Sequence, residues 1–209
     1  VDPDMMSSMP KGLTAATGMD ALTHAVESFI GRSNTKQTEE DAKIATKLIF
    51  ENIEEAYKNG KDLKARENML VASYHAGLAF TRAYVGYVHA IAHNLGGMYG
   101  IPHGLANAII LPYVLEYFGE SAYKRLAILA DVAGVSGDAL GDRQKAKNFI
   151  EAIKKLNKDM NIPDKIEGIK DEDIPLIAER ALKEGNPLYP VPKIMNLEEC
   201  KALIKKLQK

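Results

Sequence analysis

Three of the chain's five histidines fall in one stretch, "VHAIAHNLGGMYGIPHG", residues 88 to 104. His89 and His93 are four apart, so on a helix their rings share a face, with Cβ atoms about 5–6 Å apart. Their neighbours are Val, Ala, Ile and Leu, so a solvated face does not account for them. Two imidazoles facing one way, with His103 ten residues on, call for a shared polar centre or a cleft. His103 follows Pro102, where a helix can start. Gly100 and Gly104 flank it, permitting a tight turn and a close backbone approach.

A second segment, "GMDALTHAVE", sets Asp20 four residues before His24. A carboxylate and an imidazole so placed can share a divalent cation, and they can equally form an ordinary hydrogen bond on a helix surface. Asp20, His24, His89 and His103 together, with His93 beside them, offer three imidazoles and one carboxylate. That donor set suits a borderline dication such as Fe²⁺ or Zn²⁺, and one carboxylate against a +2 ion leaves a net positive, Lewis-acidic centre. Four protein ligands also fit a closed structural zinc site, whereas catalysis needs room for a substrate oxygen. The spare His93 is the hint of such room. His75 has no partner at metal spacing and reads as a packing or hydrogen-bonding histidine. Met5, Met6 and Met9 read as gap-filling apolar contacts rather than soft-metal ligands.

The elements that must position these groups are helical. Caps and breakers predict helices over about 13–31, with Gly18 a weak point, and from an N-cap at Thr38 to Gly60. Others are expected from Asp62 toward Gly86, from Gly86 to about Met98, and over 102–118, 121–133, 142–160, 171–184 and 196–208. The last four are each opened by Ser, Asp or Asn. Strand signals are almost absent, so the fold class is all-α, a multi-helix bundle with short connections. "GNPLYPVPK", Gly185 to Lys193, reads as an extended crossover hugging the surface before the last helix.

Composition narrows the function. Of 209 residues 46% are hydrophobic, enough for a packed core, and the formal net charge is −1. Lysines and glutamates interleave along the later helices, giving no footprint for nucleic acid or anionic lipid. No apolar run has the length to cross a membrane and no signal peptide is visible. Cys200 is the single cysteine, so no internal disulfide forms, and a reducing cytoplasm is the expected setting. "VDPDMMSSMPKG" reads as a connecting segment cut from something longer, although an expression boundary would look the same.

"LTAATGMDALTHAVESFI" and "HAIAHNLGGMYGIPHGLANAIILP" resemble the two signature segments of the iron-containing (group III) alcohol dehydrogenases, the family of lactaldehyde reductase and 1,3-propanediol dehydrogenase. The likeness extends over essentially the whole chain, through "DPDMMSSMP" and the weaker "NIPDKIEGIKDEDIPLIAERAL". It implies that Asp20, His24, His89 and His103 hold the metal, Fe²⁺ with Zn²⁺ an alternative. It also implies that His93 lies near nicotinamide and substrate and helps relay a proton. The implied fold is the dehydroquinate synthase-like C-terminal helical domain, with residues 1–11 the end of an interdomain connection and 12–209 the metal-binding domain.

The implied activity is NAD(P)-dependent interconversion of a primary alcohol and an aldehyde, in a homodimer or higher oligomer. One departure from the family is large. No GxGxxG follows a strand, so the N-terminal NAD(P)-binding domain is expected to be absent from these residues and the chain alone to be inactive. A glycerol dehydrogenase-like zinc enzyme, a dehydroquinate synthase-like lyase and a non-enzymatic metal-binding helical module stay as alternatives.

Overall fold

Helix α1 (Lys11–Ile30) is the core on which the other helices assemble. In the computed structural model, which describes residues 2–138 and 141–209, every residue from Gly18 to Ile30 is buried except Asp20 and His24. A helix buried nearly all round must be covered on every side. The coverage comes from α2 (Lys36–Lys58), α3 (Leu63–Ala83), α5 (His103–Phe118) and α6 (Glu120–Val132). The gap in it exposes two groups from the sequence motif.

α2 turns Ala42, Ala45, Ile49, Ile53 and Ala56 inward at helical spacing. α3 answers with Ala65, Ala72, Ala76, Ala79 and Ala83, small side chains that let helix axes approach closely, and with Met69, which reaches across to Gly18. Gly18, expected as a weak point, instead makes room. A Cβ there would meet Ile53 Cδ1 at 2.7 Å and Met69 Cε at 3.0 Å.

The second half adds α4 (Tyr87–Tyr99), α7 (Asp142–Asp159), α8 (Ile174–Gly185) and α9 (Leu197–Leu207). α4 lies between α5 and α8, α7 packs on α5 and α6, and α9 on α5 and α8. Nine α-helices and no strand are present among the described residues, confirming the all-α class. None is long and apolar enough to cross a membrane.

Several caps differ from expectation. α2 is capped by Thr35, not Thr38. Thr35 Oγ1 accepts the Thr38 N–H at 3.2 Å, and the Thr38 hydroxyl accepts the Thr35 N–H at 2.8 Å. Thr38 is the far half of a reciprocal box, so the helix begins a turn earlier. α6 starts after Gly119, at φ +51°, rather than at Ser121. A turn of 3₁₀ helix, Asp171–Asp173, precedes α8. Asn196 caps α9 as expected, paired with Glu199.

Pro112 sits inside α5 and has no N–H for the Ala108 carbonyl. Asn157 Nδ2 on α7 donates to that carbonyl at 2.7 Å, tying α7 to the proline site. The crossover after α8 is pinned rather than loose. Arg32 N–H donates to the Pro190 carbonyl at 2.7 Å, and the Tyr87 hydroxyl donates to Asn186 Oδ1 at 2.6 Å.

At the N-terminal end, Pro3–Met6 forms a 3₁₀ turn packed on α3, and Arg66 Nη2 donates to the Met9 carbonyl at 3.3 Å. Val1, the first residue of the expected connection, lies outside the described residues. Met6 and Met9 line a small cavity beside Arg66, while Met5, expected as a gap-filling contact, is 79% exposed.

Candidate metal centre

The half-buried side chains of α1 meet two other helices at one point. Asp20 comes from α1, His89 from the first turn of α4, and His103 from the first residue of α5. His103 Nε2 lies 3.4 Å and His89 Nε2 3.8 Å from Asp20 Oδ1. One donor atom from each of the three falls within 4.8 Å of the others. Donor atoms about 2.1 Å from a common centre in a tetrahedron lie about 3.4 Å apart, so this spacing fits a first-row dication.

Two backbone features make the convergence possible. Gly100 takes the left-handed conformation at φ +68°, ending α4 and turning the chain into α5. Gly104 lets α5 approach α1, since a Cβ there would stand 2.4 Å from the Ala16 carbonyl oxygen. The flanking glycines thus have the turn and close-approach roles expected of them.

His89 is buried, and its two nitrogens differ sharply. Nδ1 lies 2.7 Å from Glu27 Oε2. Nε2, facing Asp20, is buried without a hydrogen-bond partner. A buried imidazole nitrogen left unmatched is costly unless something takes its lone pair. The residues therefore fit a metal.

His24 stands beside the three converging groups. Its Nδ1 is 3.9 Å from Asp20 Oδ2, and its ring lies 4.3 Å from that of His89 and stacks on Phe80 at 4.2 Å. His93 points to the outer side, with its ring stacked 5.2 Å from His103 and its Nδ1 2.7 Å from Glu184 Oε1 on α8. Side chains of His93 and His103 are 44% and 43% exposed, so the site is open on one side, unlike a closed structural zinc site. A cavity of about 650 Å³ between α5 and α7, beside Pro112 and Asn157, contains none of these histidines. His75 hydrogen-bonds buried Asp41 at 2.8 Å, as a non-ligand histidine should.

Three further polar residues serve the site. Asn107, fully buried one turn beyond His103, places Nδ2 2.6 Å from Asp20 Oδ1 and 3.0 Å from His103 Nε2. Glu27 follows Asp20 and His24 at helical spacing, so both were within reach of the periodicity that selected the histidines. Glu184 had no such signal, because its partner lies 91 residues away in sequence.

Burial, reinforced by the neighbouring His89 imidazole, pushes His24 from 6.5 down to about 4. Partial burial lowers His103 as well. Unfolding releases both rings to take up protons near pH 6.5. The contribution of these two rings to the stability of the metal-free protein is therefore complete above that pH and is lost as pH drops toward 4. The slope due to His24 alone reaches at most about 1.4 kcal/mol per pH unit. Urea unfolding of the metal-free parent and His24→Gln across this range checks it: the variant should decline less steeply.

Comparison with known proteins agrees. A sequence model of the Fe-containing alcohol dehydrogenase family, C-terminal region, matches residues 14–208. The chain is 46% identical over 187 residues to 1,3-propanediol dehydrogenase of Citrobacter freundii, covering 88% of this chain and 48% of that protein. It is 38% identical over 193 residues to lactaldehyde reductase of Escherichia coli (strain K12), covering 90% and 50%. A crystal structure of 1,3-propanediol oxidoreductase superposes with a TM-score of 0.93 at 42% identity, covering 99% of this chain and 54% of that one. The chain thus spans about half the length of the relatives it matches. With the helical fold, the motifs and the family match in accord, the chain belongs to the iron-containing alcohol dehydrogenase family, matching that family's C-terminal domain.

Proposed function

We propose that this chain is the metal-binding half of an NAD(P)-dependent alcohol dehydrogenase that interconverts a primary alcohol and an aldehyde. The observation that carries the reading is the meeting of Asp20, His89 and His103, with the buried Nε2 of His89 unmatched. The names of the relatives, 1,3-propanediol dehydrogenase, lactaldehyde reductase and an NAD-dependent methanol dehydrogenase of Bacillus methanolicus, share small alcohols or aldehydes and support that substrate class.

Asp20, His24, His89 and His103 would hold the dication, Fe²⁺ in keeping with the family, with Zn²⁺ also suited to the donors. Bound there, it supplies Lewis acidity toward an alcohol or carbonyl oxygen. His93, whose Nδ1 faces Glu184, has Nε2 left to accept the hydroxyl proton or return it, on the open side of the site. Phe80 on α3 stacks on the His24 ring at 4.2 Å and holds its plane beside the site. Hydride exchange belongs to a nicotinamide held by a separate nucleotide-binding domain. Residues 1–209 contain no glycine-rich dinucleotide loop of their own.

Anaerobic reconstitution with Fe²⁺ tests this reading. About one equivalent of metal per chain is expected, with negligible NAD-dependent turnover until the chain is joined to a nucleotide-binding domain of the family. Failure to take up metal would overturn the assignment of the site. Turnover by the 209 residues alone would overturn the division of labour. Metal uptake without turnover in the joined protein would favour a metal-binding module.

A further inference from the structure

Glu27 is the most enclosed carboxylate near the site, its side chain only 2% exposed, and among the described residues no lysine or arginine pairs with it. Three N–H groups take that place. Oε2 accepts from Gly86 N–H at 2.9 Å and faces His89 Nδ1 at 2.7 Å, while Oε1 accepts from Val88 N–H at 2.8 Å. Gly86 and Val88 open α4, whose N-cap has no side-chain hydrogen bond of its own. A carboxylate from α1 thus caps α4 from outside, where the helix dipole favours negative charge. Gly86 is required for this approach, because a Cβ there would stand 2.7 Å from Glu27 Oε1.

The same carboxylate decides the chemistry of His89. An ionised carboxylate only accepts, so the proton on a neutral His89 must sit on Nδ1. The lone pair is then on Nε2, the nitrogen that faces Asp20 without a partner. We propose that Glu27, given the metal site read above, is a positioning residue that fixes the tautomer and aim of His89 for the metal while anchoring the start of α4. Hydrogen-bonded carboxylates behind metal-bound histidines also raise the basicity of the ligand, and losing one commonly costs 10- to 100-fold in metal affinity. Because His89 and His93 share α4, the anchor sets the place of both rings.

The test is metal affinity and cobalt absorption of the parent, Glu27→Gln and Glu27→Asp, with circular dichroism to confirm folding. Co²⁺ serves as the probe. Glutamine keeps the size but must turn an N–H₂ toward one of the three donors. It is expected to weaken Co²⁺ binding about 10- to 100-fold and to alter the visible d–d bands. Glu27→Asp should recover part of the affinity. A folded Glu27→Gln protein with parental affinity and spectrum would overturn the proposal and leave Glu27 as a helix cap alone. A second measurement needs no variant: ¹⁵N NMR of the metal-free parent should show His89 protonated at Nδ1, and protonation at Nε2 would overturn it. A parent that binds no Co²⁺ at all would instead overturn the metal assignment, a separate result.

Discussion

His89→Ala is expected to weaken metal binding by about 100- to 1000-fold, while His93→Ala leaves it within a factor of about three. The free energy of binding a first-row dication to a four-ligand protein site is of order 10–16 kcal/mol. Shared among four ligands this is about 2.5–4 kcal/mol each, a loss of about that order. His89 Nε2 faces Asp20 in the converging group, whereas His93 lies outside it, with Nδ1 turned to Glu184. Competition titration against a chelator of known affinity measures both variants. Equal losses for the two would mean that His93 is a ligand and that the open position assigned to substrate is filled. In the protein joined to its nucleotide-binding domain, His93→Ala should lower turnover at unchanged metal content.

Gly104→Ala is expected to cost about 3 kcal/mol of stability and to separate the metal-binding side chains as well. The added Cβ would lie 2.4 Å from the Ala16 carbonyl oxygen and 2.8 Å from its carbon, both backbone atoms within the second turn of α1. Neither can turn aside as a side-chain tip can, so α5 must back away from α1. His103 is the adjacent residue, and any retreat of α5 carries it from Asp20. Urea unfolding and metal titration of the same variant should therefore both report a loss. Gly77→Ala is the control. It lies inside α3, its added Cβ meets nothing within 4 Å, and alanine's helix propensity should stabilise by up to about 1 kcal/mol. A Gly104→Ala protein with parental stability and affinity would mean that the two helices do not meet this closely.

The sequence was most legible where the relevant geometry is local. The i, i+4 spacings of Asp20 with His24 and of His89 with His93 singled out four candidate residues that the fold brings to one place, and helix punctuation placed nearly every helix within a few residues. Glu27 shared the periodicity but stood among apolar residues, and its partners are N–H groups that exist only once α4 has docked. Glu184 and Asn157 were invisible for the same reason, each acting on a backbone or ring brought to it by tertiary packing. Thr38 misled because a threonine before an acidic turn resembles a cap whether it is the first or the second half of the box. Gly18 misled because propensity weighs a glycine against the helix containing it, while the crossing helix decides its use.

The external cap on α4 has a consequence during synthesis. Glu27 and His89 are 62 residues apart, so a ribosome adding about 5–20 residues per second makes the carboxylate several seconds before the ring it will hold. During that interval α2 and α3 can fold back on one flank of α1, because they follow it directly. The flank that will meet α4 and α5 stays bare, with Asp20 and Glu27 still without their partners from those helices. A divalent ion arriving then would find Asp20 and His24 one turn apart on α1, without His89 or His103 to complete the set. On the metal assignment proposed above, the ligand set is complete only once α4 and α5 have docked, so the order of synthesis places metal binding among the last steps of folding.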